Sequence, residues 1–166
     1  MPTVGDGHNV AVTGSTHDEF GIRFTANPKV HSTLVTRLVD KVRNNAESLM
    51  DFEVYNLNDC KVGVVSFGIT SRGVYEAVDM ATRKGIKVGS LRLRTIWPFP
   101  ERAIKGMAQK AETIIVAEMN LQQLFFEVQR AVDGRASVVP LNKIGGGELL
   151  TPEEILVEIE GAAGGL

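Results

Sequence analysis

The hydrophobic positions of the chain alternate between short continuous runs and longer stretches with helical spacing. A valine-rich apolar run over residues 62–67 predicts a buried strand. After a turn that contains Gly68 and Gly73, apolar residues recur every three or four positions over 74–81, which predicts an amphipathic helix. The rest of the chain is organised around this βα unit.

The same alternation continues towards the C-terminus. Further strands are predicted over residues 87–96, 113–117 and 137–141, and further helices over 100–111, over 121–132 and from Thr151 onward. Strands separated by helices of this length favour an α/β fold. We expect a parallel sheet that is covered by helices on both faces and connected by right-handed crossovers.

The N-terminal part of the chain has a different pattern. Residues 1–26 are rich in Gly, Thr, Asp and His and predict an extended arm, in which only residues 10–13 could form a short strand. Asn27 and Pro28 then predict the start of an amphipathic helix that continues to Leu49, so that residues 27–51 link the arm to an α/β domain over 52–166. Residues 52–57 alternate between apolar and polar, as in an edge strand or a lead-in to the first central strand.

Composition excludes several classes of function. A formal net charge of -2 over 166 residues argues against binding to nucleic acid or to an anionic membrane. Cys60 is the single cysteine, so an internal disulfide is excluded and an iron–sulfur cluster would need more thiolates. This is a reduced, cytoplasmic composition, and we expect neither a signal peptide nor a membrane-spanning segment.

The turn between the first strand and its helix is a candidate anion-binding site. Gly68 allows a tight turn, Thr70 or Ser71 can cap the helix, and Gly73 closes the turn. Free N–H groups and the positive end of the helix dipole favour an anion here. The alternative interpretation is a helix cap without a ligand.

Other motifs in the chain do not predict catalytic chemistry. The glycine spacing resembles a P-loop, but Val74 and Tyr75 stand where lysine and Ser/Thr would be needed. The neighbouring residues His17, Asp18 and Glu19 do not converge on one point unless their loop folds for that purpose. We therefore predict no catalytic residue and no metal site in this chain.

Six segments together resemble one family. In chain order they are VTGSTHDEFG from Val12, NPKVH from Asn27, FGITSRGVYEAV from Phe67, LRTIWPFP from Leu93, AEMNLQQL from Ala117 and GGGELLTPEEIL from Gly145. They resemble the C-terminal part of the alpha subunit of 2-oxoacid:ferredoxin oxidoreductases, in the group with 2-oxoglutarate and branched-chain 2-oxoacid members. The resemblance implies a domain similar to the transketolase C-terminal domain, a three-layer α/β/α sandwich whose mostly parallel sheet has one antiparallel edge strand.

The resemblance also implies a function for the complete assembly. The family oxidatively decarboxylates a 2-oxoacid on thiamine diphosphate with magnesium, passes electrons through iron–sulfur clusters to ferredoxin, and forms an acyl-coenzyme A. The implied partners are the remaining alpha-subunit domain, the beta and gamma subunits and ferredoxin, in a homo- or hetero-oligomer. The chain itself, as a fragment or a separately encoded piece, would hold no cofactor and would serve in subunit assembly and cofactor-site closure. The alternative is a free-standing module that binds a small anion or a nucleotide.

Two details qualify the resemblance. Gly5, Asp6 and Gly7 with the later Asn44 and Asn45 imitate the thiamine diphosphate motif GDG…NN, but no strand is predicted before the glycines and both asparagines fall in the predicted helix. These residues are therefore not expected to bind the cofactor. In the segment AEMNLQQL, Gln122 replaces the glycine that is usual in the family.

The ends of two predicted strands carry candidate interface residues: Trp97, Phe99, Glu118, Asn120 and Gln122. Function in an open parallel sheet gathers outside the carboxyl ends of the strands. Rigidly held aromatic residues dominate protein interfaces, and the carboxylate and amide would supply polar groups. The alternative is that Trp97 folds back onto the sheet as core and that Phe99 staples the following helix.

Overall fold

The computed structural model describes residues 3–8 and 14–164. The strand predicted over residues 10–13 lies outside the described residues. The chain divides into two compact units, Met1–Ala46 and Glu47–Leu166. In the part of the chain that the structure describes, no helix combines the length and the apolar character that crossing a membrane requires.

The first unit is built on helix α1 (Pro28–Arg43). The side chain of Asn27 accepts hydrogen bonds from the backbone N–H groups of Lys29 and Val30, which confirms the predicted start. The predicted continuation to Leu49 is wrong, because the helix ends at Asn44 and Asn45 and a separate short helix α2 (Ala46–Leu49) follows. The side-chain amide of Asn45 donates to the carbonyl of Lys41 at 2.8 Å and so competes with continued helical pairing.

The second unit contains a five-stranded sheet in the order β1-β3-β2-β4-β5. Its strands are β1 (Phe52–Tyr55), β2 (Val62–Phe67), β3 (Val88–Leu93), β4 (Thr113–Glu118) and β5 (Ser137–Asn142). Strands β2 to β5 are parallel, whereas β1 pairs antiparallel with β3 at one edge. The predicted parallel sheet and its antiparallel edge strand are confirmed.

Helices cover both faces of this sheet. The elements are α3 (Thr70–Arg83), α4 (Glu101–Ala108), α5 (Gln123–Val132) and α6 (Pro152–Gly164). Alternate side chains of β2 point to opposite faces, so that Val62 and Val64 pack with α3 and α6 while Val65 packs with α4 and α5. The three-layer α/β/α sandwich is therefore confirmed.

Several element boundaries differ from the sequence prediction. Helix α3 begins at Thr70, so Gly73 lies inside the helix and not in the turn before it. Strand β3 ends at Leu93 because the next two backbone N–H groups both donate to the carbonyl of Asp51. Helix α4 ends at Ala108, three residues before the predicted end, and a hydrogen-bonded turn follows. The end of β3 therefore depends on a contact with a distant part of the chain, which hydrophobic spacing does not reveal.

Gly89 shows a close approach that requires a glycine. A Cβ atom at this position of β3 would lie 2.6 Å from the carbonyl oxygen of Asn56. That carbonyl is part of the backbone that leads into a short 3₁₀ helix (Leu57–Asp59), which packs beside β3. The absence of a side chain therefore lets the segment after β1 lie directly against the sheet.

Candidate functional site

The carboxyl ends of the four parallel strands meet at one edge of the sheet, and this edge is the candidate functional site. The connection after β2 runs through α3 on one face, and the connection after β3 runs through α4 on the other. The chain therefore reverses its winding between β2 and β4. Ligands of open α/β sheets bind in the crevice outside the strand ends at such a point.

A cavity of about 370 Å³ lies at this edge, on the face covered by α3 and α6. It is lined by the end of the loop after β2, the first turn of α3, the loop after β4 and the segment that leads into α6, namely Ile69, Thr70, Arg72, Gly73, Met119, Leu149, Leu150, Thr151 and Pro152. Sequence reasoning did not identify the segment before α6 as part of a site. That reasoning predicted only that a helix begins there.

The structure separates the four predicted anion-binding residues. Gly68 takes a φ of +59° in the turn, and Thr70 begins α3 and lines the cavity. Ser71 is buried, and its hydroxyl accepts a hydrogen bond from the hydroxyl of Ser66 at 3.0 Å. A Cβ on Gly73 would lie 3.1 Å from the carbonyl oxygen of Leu150, so this glycine allows the α6 segment to approach.

The predicted helix cap is not formed. The N-cap residue of α3 is Ile69, and no side chain accepts a hydrogen bond from the first turn among the described residues. Side chains near the starts of α5 and α6 do accept: Asn120 accepts from the backbone N–H of Gln123 at 2.9 Å, and Thr151 accepts from that of Glu154 at 3.3 Å. Helix α4, like α3, has no side-chain cap among the described residues. The N-terminus of α3 is therefore left open towards the cavity.

A second cavity, of about 250 Å³, lies at the same edge on the face covered by α4 and α5. Three of the predicted interface residues, Trp97, Phe99 and Asn120, line it together. Trp97 is 66% exposed, so the alternative in which it folds back into the core is not observed. Phe99 is 8% exposed and belongs to the core between the sheet and α4, which corrects its assignment as a surface residue.

Glu118 is also misassigned by the sequence reasoning, because its side chain is fully buried. Its carboxylate accepts hydrogen bonds from the backbone N–H groups of Leu124 and Phe125 at 2.8 and 3.0 Å. A carboxylate at this position satisfies two open donors and complements the positive end of the α5 dipole. Glu118 therefore anchors the loop after β4 to α5 and does not present its charge to a partner.

Gln122 occupies the position where the family usually has glycine, and its backbone has a φ of +65° and a ψ of 33°. This is the left-handed region, which glycine adopts readily and residues with a Cβ disfavour. Gln122 therefore keeps the conformation that a glycine would favour, immediately before α5. Its side chain is partly exposed and makes no hydrogen bond within the described part of the chain.

Exposed apolar side chains occur in the loop after each parallel strand. They are Ile69 after β2, Ile96 and Trp97 after β3, Leu121 after β4, and Ile144 and Leu149 after β5. Because the four loops share one edge of the sheet, these side chains form a discontinuous apolar surface, which we call the carboxyl-edge surface. Sequence reasoning had singled out only its tryptophan.

The residues that imitate the thiamine diphosphate motif have local roles in the structure. The carboxylate of Asp6 accepts a local hydrogen bond from the backbone N–H of Thr3 at 3.1 Å. Asn44 and Asn45 terminate α1. Within the described residues, no group of three or more His, Cys, Asp or Glu side chains could hold a metal ion.

The other sequence candidates have local structural roles. Asp18, in the cluster with His17, accepts from the backbone N–H groups of Phe20 and Ile22 and so stabilises a tight turn. Cys60 is buried, and burial raises the pKa of its thiol. Neither residue is thereby prepared for catalysis.

A charged network joins the edge strand β1 to its neighbours. Glu53 of β1 accepts a hydrogen bond from the Tyr75 hydroxyl at 2.8 Å and from Arg92 at 3.2 Å, and it pairs with Arg94. These interactions, the Tyr75 hydrogen bond foremost, lower the pKa of the Glu53 carboxyl against the opposing effect of partial burial. The network ties β1 to β3 and α3.

Comparison with known proteins gives one family and a close set of relatives. The family described as pyruvate:ferredoxin oxidoreductase core domain II matches residues 60–155. The 2-oxoglutarate synthase subunit KorA of Methanothermobacter marburgensis is 45% identical over 97% of this chain and 43% of its own length. The chain therefore spans less than half the length of this curated relative.

Solved structures agree on the fold. A 2-oxoglutarate:ferredoxin oxidoreductase from Magnetococcus marinus, with 2-oxoglutarate, coenzyme A and succinyl-CoA bound, superposes with a TM-score of 0.67 at 24% identity over 98% of this chain and 28% of that chain. A split-gene transketolase, an inactive beta4 tetramer, gives 0.57 at 17% identity over 68% of this chain and 42% of that chain. The transketolase-like fold expected from the resemblance is confirmed.

Proposed function

Since the chain belongs to the family of pyruvate:ferredoxin oxidoreductase core domain II, we propose that it serves as this domain in a 2-oxoacid:ferredoxin oxidoreductase. In this proposal the chain contributes to assembly. Its carboxyl-edge surface packs against the remaining subunits and helps to close the cofactor site. Catalytic groups, thiamine diphosphate, magnesium, iron–sulfur clusters and the coenzyme A site belong to the other parts of the complex. A lone thiol suits such an assembly in a reducing cytoplasm.

The proposed reaction is the oxidative decarboxylation of a 2-oxoacid to an acyl-coenzyme A with reduction of ferredoxin. 2-Oxoglutarate is the first substrate to test, because the name of a relative with 45% identity specifies 2-oxoglutarate synthase. The side chains that would bind the 2-oxoacid are not assigned to this chain. Substrate choice therefore has to be measured on a complete assembly.

The observation that carries the assembly role is the carboxyl-edge surface. Trp97 is 66% exposed and Leu121 is 69% exposed, and they project from loops held by the ends of β3 and β4. Several large apolar side chains exposed at one edge favour an interaction site, and tryptophan is enriched among the residues that dominate binding energy. A buried carboxylate, Glu118, holds the second of these loops to α5 and so presents Leu121 on a rigid support.

Co-expression of this chain with the remaining alpha-subunit region and the beta and gamma subunits tests the role. We expect the chain to co-elute with them and the assembly to reduce ferredoxin with 2-oxoglutarate and coenzyme A. Trp97→Ser with Leu121→Ser should reduce co-elution by roughly tenfold or more, since truncation of a central aromatic residue typically costs at least about 2 kcal/mol of binding.

The matched control is Val157→Ser, which removes a side chain that is 64% exposed on α6, away from the strand ends. Co-elution should be unchanged in this variant. Equal co-elution of the edge variant and the control, with both folded by circular dichroism, would refute the carboxyl-edge surface as the interface.

The isolated chain should bind no thiamine diphosphate and should reduce no electron acceptor with any 2-oxoacid. Calorimetric titration of the chain with thiamine diphosphate and magnesium checks the first statement. Saturable binding at micromolar concentration would show that the chain carries a cofactor site of its own.

A further inference from the structure

We propose that the cavity of about 370 Å³ at the start of α3 binds a small organic anion, in which one carboxylate or phosphate group is joined to an apolar body. This binding site is additional to the assembly role and does not depend on it. The cavity and the carboxyl-edge surface share only the side chains of Ile69 and Leu149.

The first argument is the open N-terminus of α3, a helix of 14 residues. The backbone N–H groups of Thr70 and Ser71 have no hydrogen-bond acceptor among the described residues, and no side chain caps this end. Such donors, together with the positive end of the helix dipole, favour an anion. Here they lie beside a cavity large enough for a small ligand.

The second argument is independent of the helix and rests on Thr70. This residue is 6% exposed and lines the cavity, yet its hydroxyl has no hydrogen-bond partner within the described part of the chain. The hydroxyl oxygen is not one of the fully buried unpaired side-chain atoms among the described residues, which are Ser90 Oγ and Arg92 Nε, so it is accessible from the cavity and free to pair with a group that enters there. A ligand oxygen in the cavity would supply the missing partner.

The charges around the cavity also favour an anion. Arg72 also lines the cavity and forms no ion pair with any described residue. The described residues that line the cavity include no Asp or Glu. Glu154, in the first turn of α6, is already engaged by Lys143 at 2.8 Å and by the backbone N–H of Thr151 at 2.9 Å. The cavity is therefore set up for a negative charge and not for a cation.

The remaining walls of the cavity indicate that the rest of the ligand is apolar. They come from Ile69, Met119, Leu149, Leu150 and Pro152, so most of the lining is apolar. Inorganic phosphate would leave these walls against water, whereas an anion with a hydrocarbon body would cover them. The predicted ligand class is thus an amphiphilic anion and not a free inorganic ion.

Binding is tested on the full chain by calorimetry and by amide chemical shifts in two-dimensional NMR. Octanoate and octyl phosphate represent the two head groups, inorganic phosphate lacks the apolar body, and octylammonium reverses the charge. We expect saturable binding of at least one of the two organic anions, with the largest shifts at Thr70 and Ser71. Binding of octylammonium with equal affinity, or of none of these probes at millimolar concentration, would overturn the proposal.

Two variants assign the binding to the cavity. Arg72→Met keeps an unbranched apolar stem and removes the charge, and Thr70→Val keeps the shape of the side chain and removes the hydroxyl. Each should weaken binding roughly tenfold, as expected for the loss of a hydrogen bond to a charged group. The control is Arg102→Met, which removes another exposed arginine without an ion pair among the described residues, in the first turn of α4. Equal affinity in all three variants would show that the anion binds elsewhere.

Discussion

Replacing Gln122 with glycine should stabilise the protein, although it deletes a side chain. The backbone of this residue has a φ of +65° and a ψ of 33°, in the left-handed region. That conformation costs a residue with a Cβ roughly 1–2 kcal/mol, whereas glycine adopts it without this penalty. Glycine also gains more freedom in the unfolded chain, which offsets about 0.5–1 kcal/mol of the gain. The net expectation is a stabilisation of about 0.5–1 kcal/mol.

Urea unfolding followed by circular dichroism measures this effect. With a slope of about 2 kcal/mol per molar urea, the midpoint should rise by roughly 0.3–0.5 M. The matched control is Gln122→Ala, which removes the same polar group but keeps the Cβ and therefore the strain. Its midpoint should not rise.

A second control separates strain from a general effect of glycine. Asn56 also has a positive φ, of 54°, but asparagine tolerates this region better than glutamine. Asn56→Gly should therefore gain less than Gln122→Gly. If Gln122→Gly is no more stable than Gln122→Ala, the reasoning from backbone strain is refuted.

Three further predictions concern the fold around the site. Glu118→Ala should destabilise the chain by roughly 2–5 kcal/mol, because two backbone N–H groups of α5 lose their buried acceptor; a loss below 1 kcal/mol in urea unfolding would contradict this. Gly89→Ala should cost roughly 1–3 kcal/mol through contact with the Asn56 carbonyl, whereas Gly106→Ala, in open space on α4, should be neutral or stabilising; equal thermal midpoints would show that the backbone yields. Glu53→Gln should lower the free energy of unfolding at neutral pH, because the ionised Glu53 carboxylate, whose pKa is lowered in the fold, stabilises the folded state. The difference in free energy of unfolding between the variant and the wild type should shrink as the pH falls below the ordinary carboxyl pKa of 4.5, where Glu53 becomes protonated. A difference that does not change with pH would exclude this contribution.

Local pattern was sufficient for the order and type of the main elements. The valine run of β2 predicts a buried strand. The spacing of three or four residues between apolar side chains in α3 predicts a helix, because that spacing places them on one face. The same reasoning gave the parallel sheet with its helical layers. The family resemblance, carried by segments in their order along the chain, added the antiparallel edge strand and the kinship with transketolase.

Local pattern was insufficient wherever a residue's role depends on a distant part of the chain. Glu118 looks like a surface acid at the end of a strand, but the start of α5 folds over it and takes both carboxylate oxygens. Gly73 looks like part of a turn, but it lies inside α3, where the absence of a side chain leaves room for the segment before α6.

The cavity at the start of α3 likewise depends on residues that are far apart in the sequence. Thr70 can be read from the sequence as a cap, whereas Leu149 and Leu150 follow about eighty residues later and close the other wall. Periodicity determines which side chains face the core of each element. Which elements meet at the carboxyl edge, and which donors remain open there, is decided only when the sheet and its helices pack together.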